Sequence, residues 1–349
     1  MSPDVSAIVV NYRQAALAAA CANTLRDGFA REGIGGEIVL VDCGSGDAEA
    51  EALRGIDADR LIRLPDNRGY AGGVNAGLAR ARGSRLVLSN ADVLFRPGAL
   101  TALLAAIARP GAGAAAPICE WDPDGRVLLP PGFDPGFFGE FGLFRTGISP
   151  ARDDRRFARF AREAVSLWTR GGTARHLSGA VLVSRRDVFD RVGRFDERFP
   201  FEYEETEWES RVRRAGLDLA VVAGARVRHL WGGSIAGDPE TSRRRAASRR
   251  LFRQRRYGRL GRALLERAER RRRRPHRAPT GRLDEIPARP GDWVALSPHA
   301  SRVPFAGADL SRPFRPSELA SSLPAGEWFC TTFSGADGRP RETFVVQRS

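Results

Sequence analysis

Val5-Ser-Ala-Ile-Val-Val-Asn-Tyr12 runs nearly apolar and β-branched for six residues and then turns polar. A strand buried on both faces reads this way, because neither side meets water, and such strands belong to parallel sheets covered by helices. Two further runs repeat the pattern. Glu37-Ile-Val-Leu-Val41 ends in Asp42-Cys-Gly-Ser-Gly-Asp47, and Leu86-Val-Leu-Ser89 ends in Asn90-Ala-Asp92. Helical patterns follow the first strand over 14–25 and the second from Asp47. The alternation predicts an open α/β sheet whose ligand lies beyond the carboxyl ends of its strands, so a nucleotide is expected across Val10, Asn11, Tyr12, Asp42 and Asp92.

The 349 residues, 42% of them hydrophobic, leave room for one large domain and a smaller module. Net charge is +14, and all 56 basic residues are arginine. Sixteen of these arginines fall between Arg243 and Arg274 against Glu266 and Glu269, so that segment carries +14 and the rest of the chain sums to zero. A nucleic-acid-binding arm is the reading that charge alone suggests. The segment holds only Phe252 and Tyr257 as aromatics, however, too few for a stacking surface, so no nucleic-acid partner is expected. Inside it, Ala247, Leu251, Tyr257, Leu260, Leu264 and Ala268 recur at helical spacing, which predicts an amphipathic helix. A basic amphipathic helix is suited to an anionic membrane surface.

The organisation expected is therefore a domain over 1–240, an arginine-rich helical segment over 241–275 and a small β-rich module over 276–349. Pro275, Pro287, Pro290 and Pro298 mark the linker, and 292–296, 328–333 and 342–347 alternate like strands. The apolar window 99–108 stops at Arg109-Pro110, short of the ~20 residues a membrane span needs. No basic leader precedes Val5, so a cytoplasmic protein is expected. Cys21, Cys43, Cys119 and Cys330 form no CxxC pair and suggest neither a zinc site nor a disulfide framework. The sequence carries no signal for oligomeric state.

Further blocks carry polar chemistry. Asn67-Arg-Gly-Tyr-Ala-Gly-Gly-Val-Asn75 reads as a glycine loop before a helix over 76–81, whose N-terminus favours phosphate. Glu204-Glu-Thr-Glu207-Trp208 opens a helix that stops at Gly216. Its acids complement the helix dipole, and any of them is also chemically able to take a proton. His229 follows a strand over 219–227 and precedes Trp231-Gly-Gly. A segment rich in Gly, Pro and Phe, 130–144, reads as a candidate flap.

In their order, VSAIVVNY, EIVLVDCGSGD, DNRGYAGGVNAG, LVLSNADV, LSGAVLVSRRDVFDRVGRFDERF, EYEETEWESRVRRAG and ARVRHLWGGS resemble family 2 of the inverting glycosyltransferases, especially its rhamnosyltransferase-like and galactofuranosyltransferase-like members. The resemblance covers residues 5–234. It implies the GT-A fold, a Rossmann-like open mixed sheet flanked by helices, and a hexosyl-type transferase using a nucleotide-diphosphate sugar. A saccharide or lipid-linked saccharide would be the acceptor, as in cell-surface polysaccharide or glycoconjugate synthesis. Asp92 ends the block where the family has its Asp-x-Asp signature, which implies Mg²⁺ or Mn²⁺ at Asp92 with His229 as a second ligand. Asn90 stands where the basic pattern has another carboxylate, and Ala91 lies between them in the donor site. The general base falls at Glu205, with Glu204 and Glu207 as its alternatives. Arg68 and Asn75 would meet the diphosphate, and Asp42 the base or ribose, although Cys43 beside it bonds poorly. Gly179, Ala180, Asp196 and Trp231 would form the acceptor platform. A sugar nucleotidyltransferase is disfavoured because its glycine- and arginine-rich signature ends in lysine, which this chain lacks.

Overall fold

The computed structural model describes residues 3–134, 136–146, 149–230, 239–271, 285–299, 301–315 and 326–348. The chain forms two units, one of Met1–Cys119, Arg170–Trp231 and Gly237–Phe252, the other of Glu120–Thr169, Gly232–Ala236 and Arg253–Ser349. Residues 120–169 thus fold with the C-terminal strands, a grouping that the spans drawn from sequence do not contain.

The first unit opens with β1 (Val5–Asn11), α1 (Ala15–Arg31), β2 (Gly36–Cys43), α2 (Asp47–Arg54), β3 (Arg60–Leu64), α3 (Gly69–Leu78) and β4 (Arg85–Asn90). β1 pairs in parallel with β2 and β4, and β2 with β3. Val5, Ile8 and Val9 are fully buried, as the two-sided pattern requires. α1 turns Ala18, Cys21, Ala22, Leu25 and Phe29 inward, a stripe at helical spacing. It runs past the expected 14–25 because nothing breaks the stripe before Gly33, whose φ is +66°.

α3 corrects the reading of a glycine loop. Gly69–Leu78 is helical, and its glycines serve contact between helix and sheet. A Cβ on Gly73 would lie 2.6 Å from Val10 Cγ1 and 2.9 Å from Cys43 Sγ, and one on Gly77 would overlap Ile8 Cγ2. The helix therefore lies closer to β1 and β2 than side chains permit. Gly77→Ala should destabilise the fold by about 1–3 kcal/mol, since Ile8 is fully buried and has nowhere to move. A urea-unfolding midpoint unchanged from the parent would contradict this account.

The chain continues through β5 (Val93–Phe95), α4 (Ala99–Ile107) and β6 (Ala112–Glu120), leaves for α5 (Gly136–Leu143) and α6 (Pro150–Arg170), and returns in β7 (Gly172–Thr173), β8 (Val181–Arg185), α7 (Arg186–Val192), α8 (Glu204–Arg214) and β9 (Asp218–His229). The nine-stranded sheet has the order β3-β2-β1-β4-β8-β6-β9-β5, with β7 also on β9. β8 runs antiparallel to β4, and β5 and β7 antiparallel to β9. Mixed direction, helices on the sheet and a strand switch at β4 meet the GT-A expectation.

α9 (Pro239–Arg270) carries the chain from the first unit to the second and is broken at Gly258, where φ is 70° and ψ −179°. The apolar residues that mark one helical face in the sequence are not the buried ones, before or after the break. Ser248, Phe252, Arg253 and Leu265 are buried, while Leu260 is 75% and Leu264 45% exposed. Buried Arg253 donates to Glu140 and Glu269 and lies over the Phe144 ring, which compensates its charge.

The second unit is built on a four-stranded antiparallel sheet, β11-β10-β12-β13, from β10 (Asp292–Ser297), β11 (Ala306–Asp309), β12 (Gly326–Ser334) and β13 (Pro340–Arg348). α6 lays Phe157 on Phe305 at 5.2 Å and Trp168 on Trp293 at 5.4 Å between ring centroids. These aromatics are why 120–169 folds with the tail. Among the described residues no helix is long and apolar enough to cross a membrane.

Candidate active site

Asp92 lies in the two-residue turn between β4 and β5. β5 pairs with the last residues of β9, Val93 opposite His229, and Leu230 N donates to Asp92 O at 2.9 Å. This register brings His229 Nε2 to 3.3 Å from Asp92 Oδ1, both side chains 9% exposed. A carboxylate oxygen and an imidazole nitrogen so juxtaposed fit two protein ligands of a divalent cation whose other positions go to phosphate and water. Among the described residues no three His, Cys, Asp or Glu side chains form a complete metal cage. Asn90 N donates to Ala180 O at 3.0 Å, tying this turn to the segment before β8.

That segment meets α8. A Cβ on Gly179 would lie 3.0 Å from Glu205 Cγ and 3.1 Å from Cδ, so glycine leaves only enough room for the Glu205 carboxyl. α8 starts after two non-glycine residues in left-handed conformation, Glu202 at φ 61° and Tyr203 at φ 73°. Such strain persists only where neighbours enforce it. Here the first half of α9 does so. Ser248 Oγ accepts from Phe201 N at 3.2 Å, Arg245 pairs with Glu202 at 2.8 Å, and Phe252 meets Tyr203 at 5.1 Å between centroids.

Glu204 is 4% exposed, and among the described residues its Oε2 has no hydrogen-bond partner; nor has the buried hydroxyl of Tyr70. Burial first, then the charge of Glu205, raises the Glu204 carboxyl well above the usual range. Burial pushes the Glu205 carboxyl up to about 7, with His176 pulling it down and Glu209 pushing it further up. The Tyr70 phenol is raised by burial and then by Glu204, Glu205 and Asp92. One phenol thus feels all three acids, so Asp92 and the Glu204–Glu205 pair share one neighbourhood. A carboxyl poised near neutrality can take a proton and release it again.

The remaining expected residues divide by what they touch. Asp42 is 1% exposed, and its carboxylate accepts from Asn11 Nδ2 at 3.2 Å and Ser45 Oγ at 2.5 Å. It shapes the end of β2, while Tyr12, 38% exposed beneath the Arg13 guanidinium, offers the open ring there. Val10 faces Gly73, and Ala91 is buried. Asn75 donates to Phe195 O and Glu197 Oε1, both at 2.9 Å, and accepts from Phe195 N, so its amide clamps the 195–197 turn to α3. Arg68 pairs with Glu197 on the same turn, and Asp196 with Arg198 at 3.0 Å. Glu207 pairs with Arg211 at 2.9 Å, and Arg211 donates to Val192 O and Arg194 O, so Glu207 is engaged at the α7 end. Trp231 lies outside the described residues. Tyr70, His176 and Glu209 escaped the sequence reading. Glu209 had a signal, its position one turn after Glu205 on the same helix face.

The glycosyl transferase family 2 model matches residues 6–165. The N-acetylglucosaminyl-diphospho-decaprenol L-rhamnosyltransferase of Mycobacterium tuberculosis is 31% identical over 222 residues, 58% of this chain and 69% of that protein. The succinoglycan biosynthesis protein ExoO of Rhizobium meliloti is 34% identical over 104 residues, 29% of each chain. A mannosyltransferase of Pyrobaculum calidifontis, solved with GDP-Man and Mn²⁺, superposes at TM-score 0.48 with 17% identity over 77% of this chain and 74% of that one. With 31% identity to the rhamnosyltransferase running through more than two thirds of that protein's length, the chain belongs to family 2 of the glycosyltransferases.

Proposed function

We propose that the first unit transfers a hexosyl-type sugar, with inversion, from a nucleotide-diphosphate donor to a saccharide or lipid-linked saccharide in polysaccharide or glycoconjugate synthesis. The observation that carries this reading is Glu205, near-neutral and seated against Gly179 in the neighbourhood of Asp92. Glu205 takes the proton of the acceptor hydroxyl as its oxygen bonds to the anomeric carbon, and the bond from that carbon to the diphosphate breaks on the opposite face. Asp92 and His229 are the residues that would hold Mg²⁺ or Mn²⁺, which supplies positive charge against the diphosphate. Tyr12 and the buried Asn11–Asp42 corner would receive the base, and Gly179 and Ala180 would leave space for the acceptor. Neither a nucleic-acid role nor sugar nucleotidyl transfer is favoured for a member of this family.

The test is a donor panel of dTDP-L-rhamnose, UDP-galactofuranose, UDP-glucose and GDP-mannose, with product configuration read by NMR. An inverted anomeric centre is expected; a retained one would overturn the reading. The acceptor of the mycobacterial relative is lipid-linked by its name, and the second unit supports a cytoplasmic enzyme held at the inner membrane face. Phe138 is 86% and Leu260 75% exposed, on α5 and on α9 between Arg259 and Arg262. Apolar side chains among arginines suit an anionic lipid surface. The protein should co-sediment with vesicles containing phosphatidylglycerol at low salt and much less with phosphatidylcholine alone, and Leu260→Glu should weaken this. Equal pelleting with both vesicle types would exclude the electrostatic part of the proposal.

A further inference from the structure

The strongest group outside the assigned chemistry is His176 with Glu209. His176 Nδ1 lies 2.5 Å from Glu209 Oε2, and the Glu209 side chain is fully buried. Both Glu209 oxygens also accept from Leu177 N, at 3.2 and 3.3 Å. Residues 176–180 are therefore fixed at two points, by Glu209 at the start and by Asn90 N on Ala180 O at the end. Gly179, against which the Glu205 carboxyl rests, lies between those anchors. Glu205 and Glu209 are one turn apart on α8, so they meet this segment from the same helix face.

We propose that His176 is a positioning residue for Glu205: locked by Glu209, its imidazolium sets the charge that the Glu205 carboxylate faces and fixes the wall that orients it. The inference rests on Glu205 being the base. Without the imidazolium, two buried carboxylates would stand a turn apart on one helix face, with Arg213 left to act on Glu209. The groups that bear on Glu205 are His176 from the 176–180 segment, Glu204 and Glu209 from α8, Glu202 from the turn before it and Tyr70 from α3, with Arg213 acting on Glu209. His176 is the cation among those that act on Glu205 directly, and it opposes the upward push of Glu209.

The sign of the effect follows. An opposite charge favours the ionised carboxylate, so His176→Gln removes the positive charge that opposes Glu209 at Glu205, and Glu205 should hold its proton about one pH unit higher or more. In His176→Gln/Glu209→Gln both charges are gone, and the midpoint should fall back toward that of the parent, because the raising charge of Glu209 leaves together with the lowering charge of His176. A merely structural histidine would show no such restoration.

The experiment titrates glutamate carboxyls by ¹³C NMR in the full chain, with Glu205 identified by the resonance absent from Glu205→Gln. It needs no substrate, so it stands apart from the base assignment, which turnover of Glu205→Gln tests separately. An upward shift in His176→Gln that the double variant reverses supports the proposal. An unmoved midpoint, or a shift that persists in the double variant, overturns it. Should His176→Gln fail to fold, His176→Asn gives the same two readings. Where a donor supports turnover, the acid limb of kcat/KM should move with the NMR midpoint.

Discussion

Glu205→Gln should lower kcat by roughly 10²–10⁴ while leaving the donor dissociation constant within about threefold, the range expected when a general base is removed without disturbing binding. The amide keeps the shape of the carboxyl against Gly179 but cannot accept the acceptor's proton. In the parent, kcat/KM should rise with pH through about 7, where Glu205 loses its proton, because only the ionised form is a base. The variant's residual activity should lack that limb. Loss through unfolding is distinguishable by the sign of the linkage. A carboxyl raised from 4.5 to about 7 binds protons more tightly folded than unfolded, so it stabilises the fold at low pH and that contribution fades as pH rises through 7. At pH 8 the ionised, buried Glu205 therefore costs stability, on the order of 1–3 kcal/mol, and Glu205→Gln should melt at the parent's temperature or above. A folded variant that still turns over at the parent's rate would move the base elsewhere, with Glu204 the first candidate because its buried carboxyl also holds its proton well above the usual range.

The parts of this molecule that announce themselves in sequence are those whose burial leaves a periodic trace. β1, β2 and β4 are covered on both faces, and their apolar runs match the observed strands to within two residues. α3 hid because intrinsic propensity counts four glycines in ten residues against a helix, whereas the close approach to Ile8 and Val10 demands them. α9 hid its buried face because Ser248 and Arg253 are polar and leave no apolar trace in the sequence. β11, Ala306–Asp309, has no β-branched residue and reads as loop; its pairing with β10 supplies the order. In the site, Asp92, His229 and Glu205 were legible as motif residues, each at the end of a recognisable element. The partners that set their chemistry were not. His176 and Glu209 are 33 positions apart and meet only once β8 has paired with β4 and α8 has settled beside it. Asn75 and Asp42 look like ligand residues in sequence because polar groups after strands usually face outward. Here their polar atoms close the turns that frame the cleft.

Asp92→Asn should abolish metal-dependent donor binding without unfolding the protein, and kcat/KM should fall by on the order of 10²–10⁴, as losing several kcal/mol of charge stabilisation implies. The fold should survive because the structural duties of residue 92 are carried by its backbone: Leu230 N donates to Asp92 O, and Val93 pairs with His229 whatever side chain precedes it. What the side chain contributes is charge beside His229 Nε2 in a nearly closed pocket. With Asn90 in place of a second carboxylate on this turn, no neighbouring acid on the turn can substitute. Donor affinity in Mn²⁺, read by calorimetry with UDP and dTDP, should drop to the value the parent shows in EDTA. His229→Ala should lie between the two, since it removes one neutral ligand and leaves the anionic one. The comparison with Glu205→Gln separates the roles on independent axes: one variant binds donor and metal yet does not transfer, the other fails before transfer is possible. If Asp92→Asn kept the parent's Mn²⁺-dependent affinity, the cation would have to sit away from the β4–β5 turn. In that case the 3.3 Å approach of His229 to Asp92 would be a buried polar contact that closes the end of the sheet.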